Sequence, residues 1–168
     1  IFSPAHGGPI IAPNQDIVLG CYFMSLERPG EAGEGRVFSG PDEVWMAYAS
    51  DVVHIHAPIK VMFEEGIEVR NRDESFETDG RSLVSTTPGR IMFNDILETG
   101  MPYYNYDLDK KALSNIIADC NLLLNRPATL RLLDNLKKVG FQAATRAGIS
   151  FGKSDMLVPP SKEKIIAE

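Results

Sequence analysis

Hydrophobic positions follow a helical period through the second half of the chain. Between residues 107 and 139, apolar side chains recur three and four positions apart on two consecutive segments. Residues 125–127, Asn-Arg-Pro, interrupt this period with a turn signal. The pattern predicts two helices packed as an antiparallel pair. The apolar faces are Leu113, Ile116, Ile117, Cys120, Leu123 and Leu124 in the first helix, and Leu130, Leu133, Leu136 and Val139 in the second.

An alternating pattern between residues 52 and 87 predicts β structure instead. In VVHIHAPIKVMF, His54 and His56 fall on the parity opposite to the apolar residues, and so on the other face of a strand. Two such histidines can ligate a metal, but a third ligand is needed and a polar strand face is the simpler interpretation. Pro58 predicts an edge strand or a bulge. The apolar parity comprises Val53, Ile55, Ile59, Val61 and Phe63.

Shorter helical patterns flank this β region. Residues 17–26 predict about three turns of helix, which Asn14 can cap. Pro41 begins a second short helix, and Thr87 followed by Pro88 begins a third, because threonine caps well and proline suits the first helical position. The predicted fold is therefore α+β, with an N-terminal helix and loops, a small antiparallel β region and a C-terminal antiparallel helix pair.

Two polar or aromatic stretches leave alternatives open. Residues 70–81 are highly charged and predict a solvated excursion. Tyr103, Tyr104 and Tyr106 lie close together in the sequence, and such a cluster can stack on bases. Packing over a helix end is the more common role of such residues, and we expect it here.

Composition is that of a soluble globular chain of 168 residues, with 43% hydrophobic and 24% charged residues. The net charge of −6 excludes a domain that is basic as a whole and grips nucleic acid. Cys21 and Cys120 match no metal spacing and predict buried, reduced thiols of a cytosolic protein. The chain opens on Ile1, has no signal peptide or membrane span, and ends on KEKIIAE, so we expect an excised piece of a longer polypeptide.

Small residues dominate residues 139–155, VGFQAATRAGISFGKSD, and Arg146 is the long cation among them. Its guanidinium can present five donors to phosphate or carboxylate. The simpler interpretation is a helix that ends near Gly148, with Arg146 in its last turn. The sequence GKS at residues 152–154 matches the end of a P-loop, but position 147 is alanine where the motif needs glycine, which excludes a P-loop nucleotidase.

Several long motifs, in one order, resemble the largest subunit of bacterial DNA-directed RNA polymerase, β′. The sequence SPAHGGPIIAPNQDIVLGCYF is similar to the segment that follows the catalytic aspartate loop of that subunit. The resemblance continues through TTPGRIMFNDIL, DLDKKALSNII, LLDNLKKVGF and ATRAGISFGKSDMLVPPSKEKII, and so covers essentially the whole chain. The departures lie mostly in residues 64–82.

The resemblance implies the third, or pore, domain of that subunit with the start of its funnel. Residues 1–50 would form its N-terminal loop–helix part, residues 51–87 its small β region, and residues 88–168 the helical part leading into the funnel. Such a domain would line the secondary channel, which admits nucleotides and releases the 3′ end of backtracked RNA. Residues 147–156 resemble the loop that supports the bridge helix.

By the same resemblance, Arg146 and Gln15 would face the incoming nucleotide, and Arg146 would meet its triphosphate charge. From its position alone, Gln15 is a solvated residue in the first turn of a helix. The family's Mg²⁺-binding motif, NADFDGD, does not occur in this chain. We therefore expect no catalytic residue, no metal ligand and no cofactor in the chain itself, and no activity of the isolated chain.

The implied partners are the β, α and ω subunits, the remaining β′ domains, nucleoside triphosphates and backtracked RNA, without a membrane, in the cytoplasm at the nucleoid. The alternative is a structural or interaction module that docks other subunits or transcript-cleavage factors without touching nucleotides. An excised piece would expose apolar residues that its neighbours cover. Phe23, Trp45 and Met156 are the residues we expect to be exposed in this way.

Overall fold

The computed structural model of the chain describes residues 13, 15–72, 76–77 and 83–148. It contains both helices and short strands, which confirms the α+β prediction. The helices are α1 (Gln15–Ser25), α2 (Pro41–Ala49), α3 (Pro88–Asn94), α4 (Lys110–Leu123) and α5 (Arg126–Ala147). The strands are β1 (Val37–Phe38), β2 (Ile59–Met62), β3 (Val69–Arg70), β4 (Phe76–Glu77), β5 (Leu83–Thr86) and β6 (Tyr103–Tyr104).

Side-chain caps begin α3, α4 and α5. The Thr87 hydroxyl accepts a hydrogen bond from the Arg90 N–H at the start of α3, as predicted. The side chains of Asp109 and Asn125 cap α4 and α5 in the same way. The predicted Asn14 cap lies outside the described residues.

Two small sheets of three strands mix parallel and antiparallel pairs, which corrects the expected antiparallel β region. In the order β1-β2-β5, β2 runs parallel to β1 and antiparallel to β5. In the order β4-β3-β6, β3 runs antiparallel to β4 and parallel to β6. Parallel neighbours need a crossover connection, and the segments that contain α2 and α3 supply the two crossovers. The sheets therefore recruit β1 and β6 from outside residues 51–87.

The strand after Pro58 is shorter and more central than the sequence predicted. Residues 53–58 form turns, β2 begins at Ile59, and β2 lies in the middle of its sheet. The edge-strand prediction was wrong because Pro58 lies just outside the ladder, where its missing N–H costs no sheet hydrogen bond. Within β2 the predicted alternation holds, since Ile59 and Val61 are buried and the residues between and after them are exposed.

Two apolar cores hold these elements together. One lies among the helices and includes Leu113, Ile116 and Leu132, and the other lies among the two sheets, α2 and α3. Tyr48 is half-buried and packs against both. The predicted thiols are free and buried, and burial raises the pKa of Cys21 to about 12.

Glycines bring three helices into backbone contact. A Cβ added at Gly20 of α1 would lie 1.8 Å from the carbonyl oxygen of Gly140 in α5. A Cβ at Gly89 of α3 would lie 1.8 Å from the carbonyl oxygen of Met24 in α1. Only a residue without a side chain allows such approaches. The first helix is therefore held between α3 and α5, a pairing that the hydrophobic pattern did not predict.

The predicted apolar face of α5 is confirmed at Leu136, which is buried, and Leu133 and Val139 are half-buried against the helical core, but the rest of the buried face differs. Its buried residues are Ala128, Thr129, Leu132, Leu136 and Gly140, whereas Leu130 is 40% exposed. In α4, Leu123 is also 54% exposed. The prediction counted large apolar residues, but α5 packs on α1 as well as on α4, and its small residues make the close contacts.

Within the described residues, no helix has the length and hydrophobicity needed to cross a membrane.

Candidate functional site

Gln15 and Arg146 lie on neighbouring helices, at the first residue of α1 and in the last turn of α5. Both side chains are exposed. The start of α1 lies beside the middle of α5, and the end of α1 lies beside the end of α5. Gln15 lines one cavity with Lys138, whereas Phe23 lines another with Arg146. The eleven residues of α1 span about 16 Å. The two predicted site residues therefore border different cavities on one helix pair.

The end of α5 presents Arg146 outward. Gly148 follows in the left-handed conformation, with φ 58°, and its N–H donates to the Thr145 carbonyl at 3.2 Å. This confirms the predicted helix end. A cation in the last turn complements the negative end of the helix dipole. In the described part of the chain, Arg146 has no ion pair.

A cavity of about 430 Å³ opens beside Arg146, and we call it the Arg146 cavity. Residues of α1, α2, α3 and α5 line it, and its aromatic wall consists of Phe23, Trp45 and Tyr48. The indole N–H of Trp45 donates to the carboxylate of Asp95. Burial raises the pKa of the Asp95 carboxyl, and the hydrogen bond from Trp45 opposes that rise.

The cavity near Gln15 is larger, about 1010 Å³, and more charged. Asp134, Lys137 and Lys138 of α5 line it together with Phe141. The two lysines are exposed. The first-turn N–H groups of α1, which lack partners within the helix, lie at the same end of α1 as this cavity.

His56 is fully buried, which corrects the predicted polar strand face. Its ring meets Phe23 edge-on at 4.5 Å between centroids and His54 at 5.1 Å. Burial is the main cause that lowers the pKa of His56. His54 faces Glu31, with 3.6 Å between Nδ1 and the carboxylate. Among the residues that the structure describes, no group of three His, Cys, Asp or Glu side chains could hold a metal ion.

A buried arginine fixes the helix that carries Gln15. Arg90 of α3 is 8% exposed, and its Nε donates to the carbonyl of Ser25, the last residue of α1, at 3.0 Å. Its guanidinium also donates to Asp107 at 2.9 Å and to Glu27 at 3.3 Å. The Ser25 hydroxyl in turn accepts the N–H of Leu108 at 2.8 Å. Arg90 thereby joins α1, α3 and the loop before α4.

The tyrosine cluster packs into the protein, as expected. Tyr103 and Tyr104 are buried in β6, and the Tyr104 hydroxyl donates to Asp119 at 2.9 Å. Burial, followed by this hydrogen bond, raises the pKa of Tyr104. Arg70 lies over the Tyr104 ring at 5.6 Å and pairs with Asp119. Arg70 therefore belongs to a packed strand, which corrects its assignment to a solvated excursion; residues 73–75 and 78–82 lie outside the described residues.

The sequence matches the family model for RNA polymerase Rpb1, domain 3, over residues 1–156. The chain belongs to this family. It is 41% identical over 168 residues to DNA-directed RNA polymerase subunit β′ of Rhodopirellula baltica, and 43% identical over 172 residues to that of Moorella thermoacetica. Both alignments cover 100% of this chain but only 12% and 13% of the relatives.

Aquifex pyrophilus supplies a similar relative, its subunit β′, at 41% identity over 169 residues and 10% of the relative's length. These matches confirm the family resemblance that the motifs indicated. Domain 3 of this family is thus a short part of a long polypeptide in the relatives, and in them the rest of the subunit lies outside the aligned region.

Exposed apolar residues are numerous on this domain 3 chain. Trp45 is 40% exposed, as predicted. Phe23 was expected to be exposed as well, but it is half-buried and packs against His56. The Met156 prediction and residues 149–156 of the proposed supporting loop lie outside the described residues. Further large exposed apolar residues include Val37, Met46, Leu122, Leu123 and Phe141.

Sequence reasoning missed Arg90 and the glycines of α1, α3 and α5. A signal for Arg90 was present, since an arginine stands within the apolar run of a helix whose cap was recognised. Such a residue is buried only when its donors are satisfied. The glycines carried a weaker signal, because a glycine inside a helical pattern indicates close packing only once its partner helix is known.

Proposed function

We propose that this chain is a domain of the β′ subunit of a bacterial DNA-directed RNA polymerase and acts in transcription, in the cytoplasm at the nucleoid. The observation that carries the proposal is the family match over residues 1–156, joined to relatives about 40% identical along the entire chain. Because the chain spans 10–14% of those subunits, nucleotidyl transfer would be an activity of the assembled enzyme.

Within that enzyme the domain lines the secondary channel and supports the active centre. Arg146 meets the triphosphate of an incoming nucleotide, and Gln15 faces the same route. The exposed guanidinium supports this role, because its planar donors match phosphate oxygens and no described ion pair occupies them. Lys137 and Lys138 line the cavity beside Gln15 together with the carboxylates of Asp16 and Asp134, so Arg146 carries the argument for phosphate contact.

The partners of the domain are the β, α and ω subunits, the other β′ domains, nucleoside triphosphates and the 3′ end of backtracked RNA. The catalytic Mg²⁺ is held by an aspartate motif outside this chain, and the chain supplies no ligand to it. Residues 1–50, 51–87 and 88–168 then correspond to the loop–helix part, the β region and the helical part that leads into the funnel. The isolated chain is inactive in RNA synthesis.

A second candidate function is docking without nucleotide contact. The exposed apolar side chains favour it, since Leu122 is 79% and Phe141 62% exposed. Such residues suit a surface that other subunits or transcript-cleavage factors cover. The two functions differ in one respect, because docking alone predicts that Arg146 affects assembly and not nucleotide use.

Affinity purification tests the proposal. A tag on the natural polypeptide that carries this sequence should retrieve β and α subunits from the source cells, together with Mg²⁺-dependent RNA synthesis on a DNA template. An untagged culture is the control. Retrieval of the polypeptide without those subunits and without RNA synthesis would overturn the proposal.

A further inference from the structure

We propose that the Arg146 cavity is a binding site for a small, flat aromatic molecule that carries one anionic group. This inference rests on the cavity itself and does not depend on the role in transcription. Its volume, about 430 Å³, falls within the roughly 300–1,000 Å³ typical of small-molecule sites. A molecule of two or three rings fits that volume.

The aromatic wall is held in place before any ligand arrives. Phe23 is fixed by the edge-on contact with buried His56, at 4.5 Å. The hydrogen bond from Trp45 to Asp95 fixes the indole, which is still 40% exposed. Tyr48 is anchored between the two cores. Preformed aromatic faces favour a flat ring, because little conformational freedom is lost on binding.

Charge at the mouth of the cavity selects an anion. Arg146 is exposed at the rim, and in the described residues it has no ion pair. Asp95 is the carboxylate among the lining residues, and it already accepts the Trp45 indole N–H. A ligand therefore meets a guanidinium that forms no ion pair within the described residues and a carboxylate that already accepts a hydrogen bond. His54 also lines the cavity and faces the Glu31 carboxylate at 3.6 Å. A single carboxylate, sulfonate or phosphate on the ring would complement this arrangement.

The inner side of α5 sets the depth of the cavity. Ala143 is half-buried and lines it one turn before Arg146. A larger side chain at Ala143 would occupy the space of the ligand. Phe141 lies on the same helix but lines the cavity near Gln15 and not the Arg146 cavity. It therefore provides a control for binding of probes to exposed apolar surface.

Two fluorescent probes test the site on the 168-residue chain. The first is 8-anilinonaphthalene-1-sulfonate and the second is N-phenyl-1-naphthylamine, which keeps the rings and lacks the charge. Trp45 is the one tryptophan of the chain, so energy transfer from tryptophan to a probe reports that the probe is bound to the domain, and the variants locate it. We expect both probes to show energy transfer, and the sulfonate to bind more tightly.

Arg146→Gln should lower the affinity for the sulfonate probe roughly five- to tenfold, the size expected for a charge-assisted contact at a solvated rim. The affinity for the neutral probe should stay unchanged. Ala143→Phe should abolish energy transfer to both, and Phe141→Ala should change neither. Equal affinities of Arg146→Gln and the original chain for the sulfonate would overturn the anionic part of the proposal. Loss of energy transfer in Phe141→Ala would overturn the location. Should Ala143→Phe fail to fold, the Arg146→Gln comparison of the two probes decides alone.

Discussion

At the scale of single residues, the buried side chain of Arg90 joins several separate parts of the chain. Its side chain holds the end of α1 through the Ser25 carbonyl and pairs with Glu27 and Asp107. Arg131 offers a contrast, since it forms a two-pronged pair with Glu98 at 2.8 and 2.9 Å but is exposed. A buried cation that loses its hydrogen bonds leaves several polar groups without partners, whereas water replaces the lost partner of an exposed one.

Arg90→Lys tests this difference. Lysine keeps the charge but cannot satisfy the Ser25 carbonyl and two carboxylates in one plane. We expect the free energy of unfolding to fall by about 2 kcal/mol. Denaturant titration followed by circular dichroism measures the change. The matched variant Arg131→Lys should leave the unfolding midpoint nearly unchanged, and a larger loss in that variant than in Arg90→Lys would contradict the assignment.

At the scale of elements, the glycine contacts decide how the helices pack. The α1–α5 crossing joins Gly20 to Gly140, and a Cβ at Gly140 would lie 2.7 Å from the carbonyl oxygen of Ile17. The backbones of the two helices are in contact at this crossing. If either helix moved away, the packing contacts of the small residues around the crossing would be lost. The crossing also sets where Gln15 and Arg146 lie relative to each other.

Gly20→Ala should destabilise the protein by about 3 kcal/mol, the upper end of the cost of overpacking, because the new methyl group meets a backbone oxygen that cannot turn aside. Thermal or denaturant unfolding measures the loss. Gly40→Ala is the control, since nothing lies within 4 Å of its added Cβ and its φ of 178° suits any residue. An equal effect of both substitutions would show that glycine flexibility, and not the crossing, determines the stability.

The sequence predicted the elements whose signals are local. The start of α3 was found because its capping threonine and first-turn proline are adjacent, and the end of α5 because Gly148 follows a small-residue run. Periodicity found α4 and α5 for the same reason, since every residue of the pattern lies within one helix.

Features made by distant residues were missed. The parallel pairs of β1 and β6 join segments separated by a helix, and no pattern within either strand encodes its partner. The sequence analysis placed His56 on a polar strand face because it continued the strand alternation through residues that are not in a strand. His56 is instead covered by Phe23, which is distant in sequence. For the candidate site, the sequence supplied Arg146 and Gln15, while their separation into two cavities required the α1–α5 packing.

At the scale of the whole molecule, charge is distributed unevenly. The net charge is −6, yet Lys137, Lys138 and Arg146 are exposed on the half of α5 that lies beside α1. An acidic surface with local cations suits a route for nucleotides better than a grip on duplex DNA. We propose that Arg146 lies on that route, and its substitution within an assembled polymerase is the decisive measurement.

That measurement is the steady-state kinetics of nucleotide incorporation by assembled polymerase that carries Arg146→Ala, with Arg36→Ala as the matched control. Arg36 is an exposed arginine next to β1, distant in sequence from both candidate residues. We predict that Arg146→Ala raises the apparent KM for nucleoside triphosphates roughly five- to tenfold, while assembly and Arg36→Ala kinetics stay unchanged. Loss of assembly, with unaltered KM in the enzyme that does assemble, would contradict the account and favour a docking role.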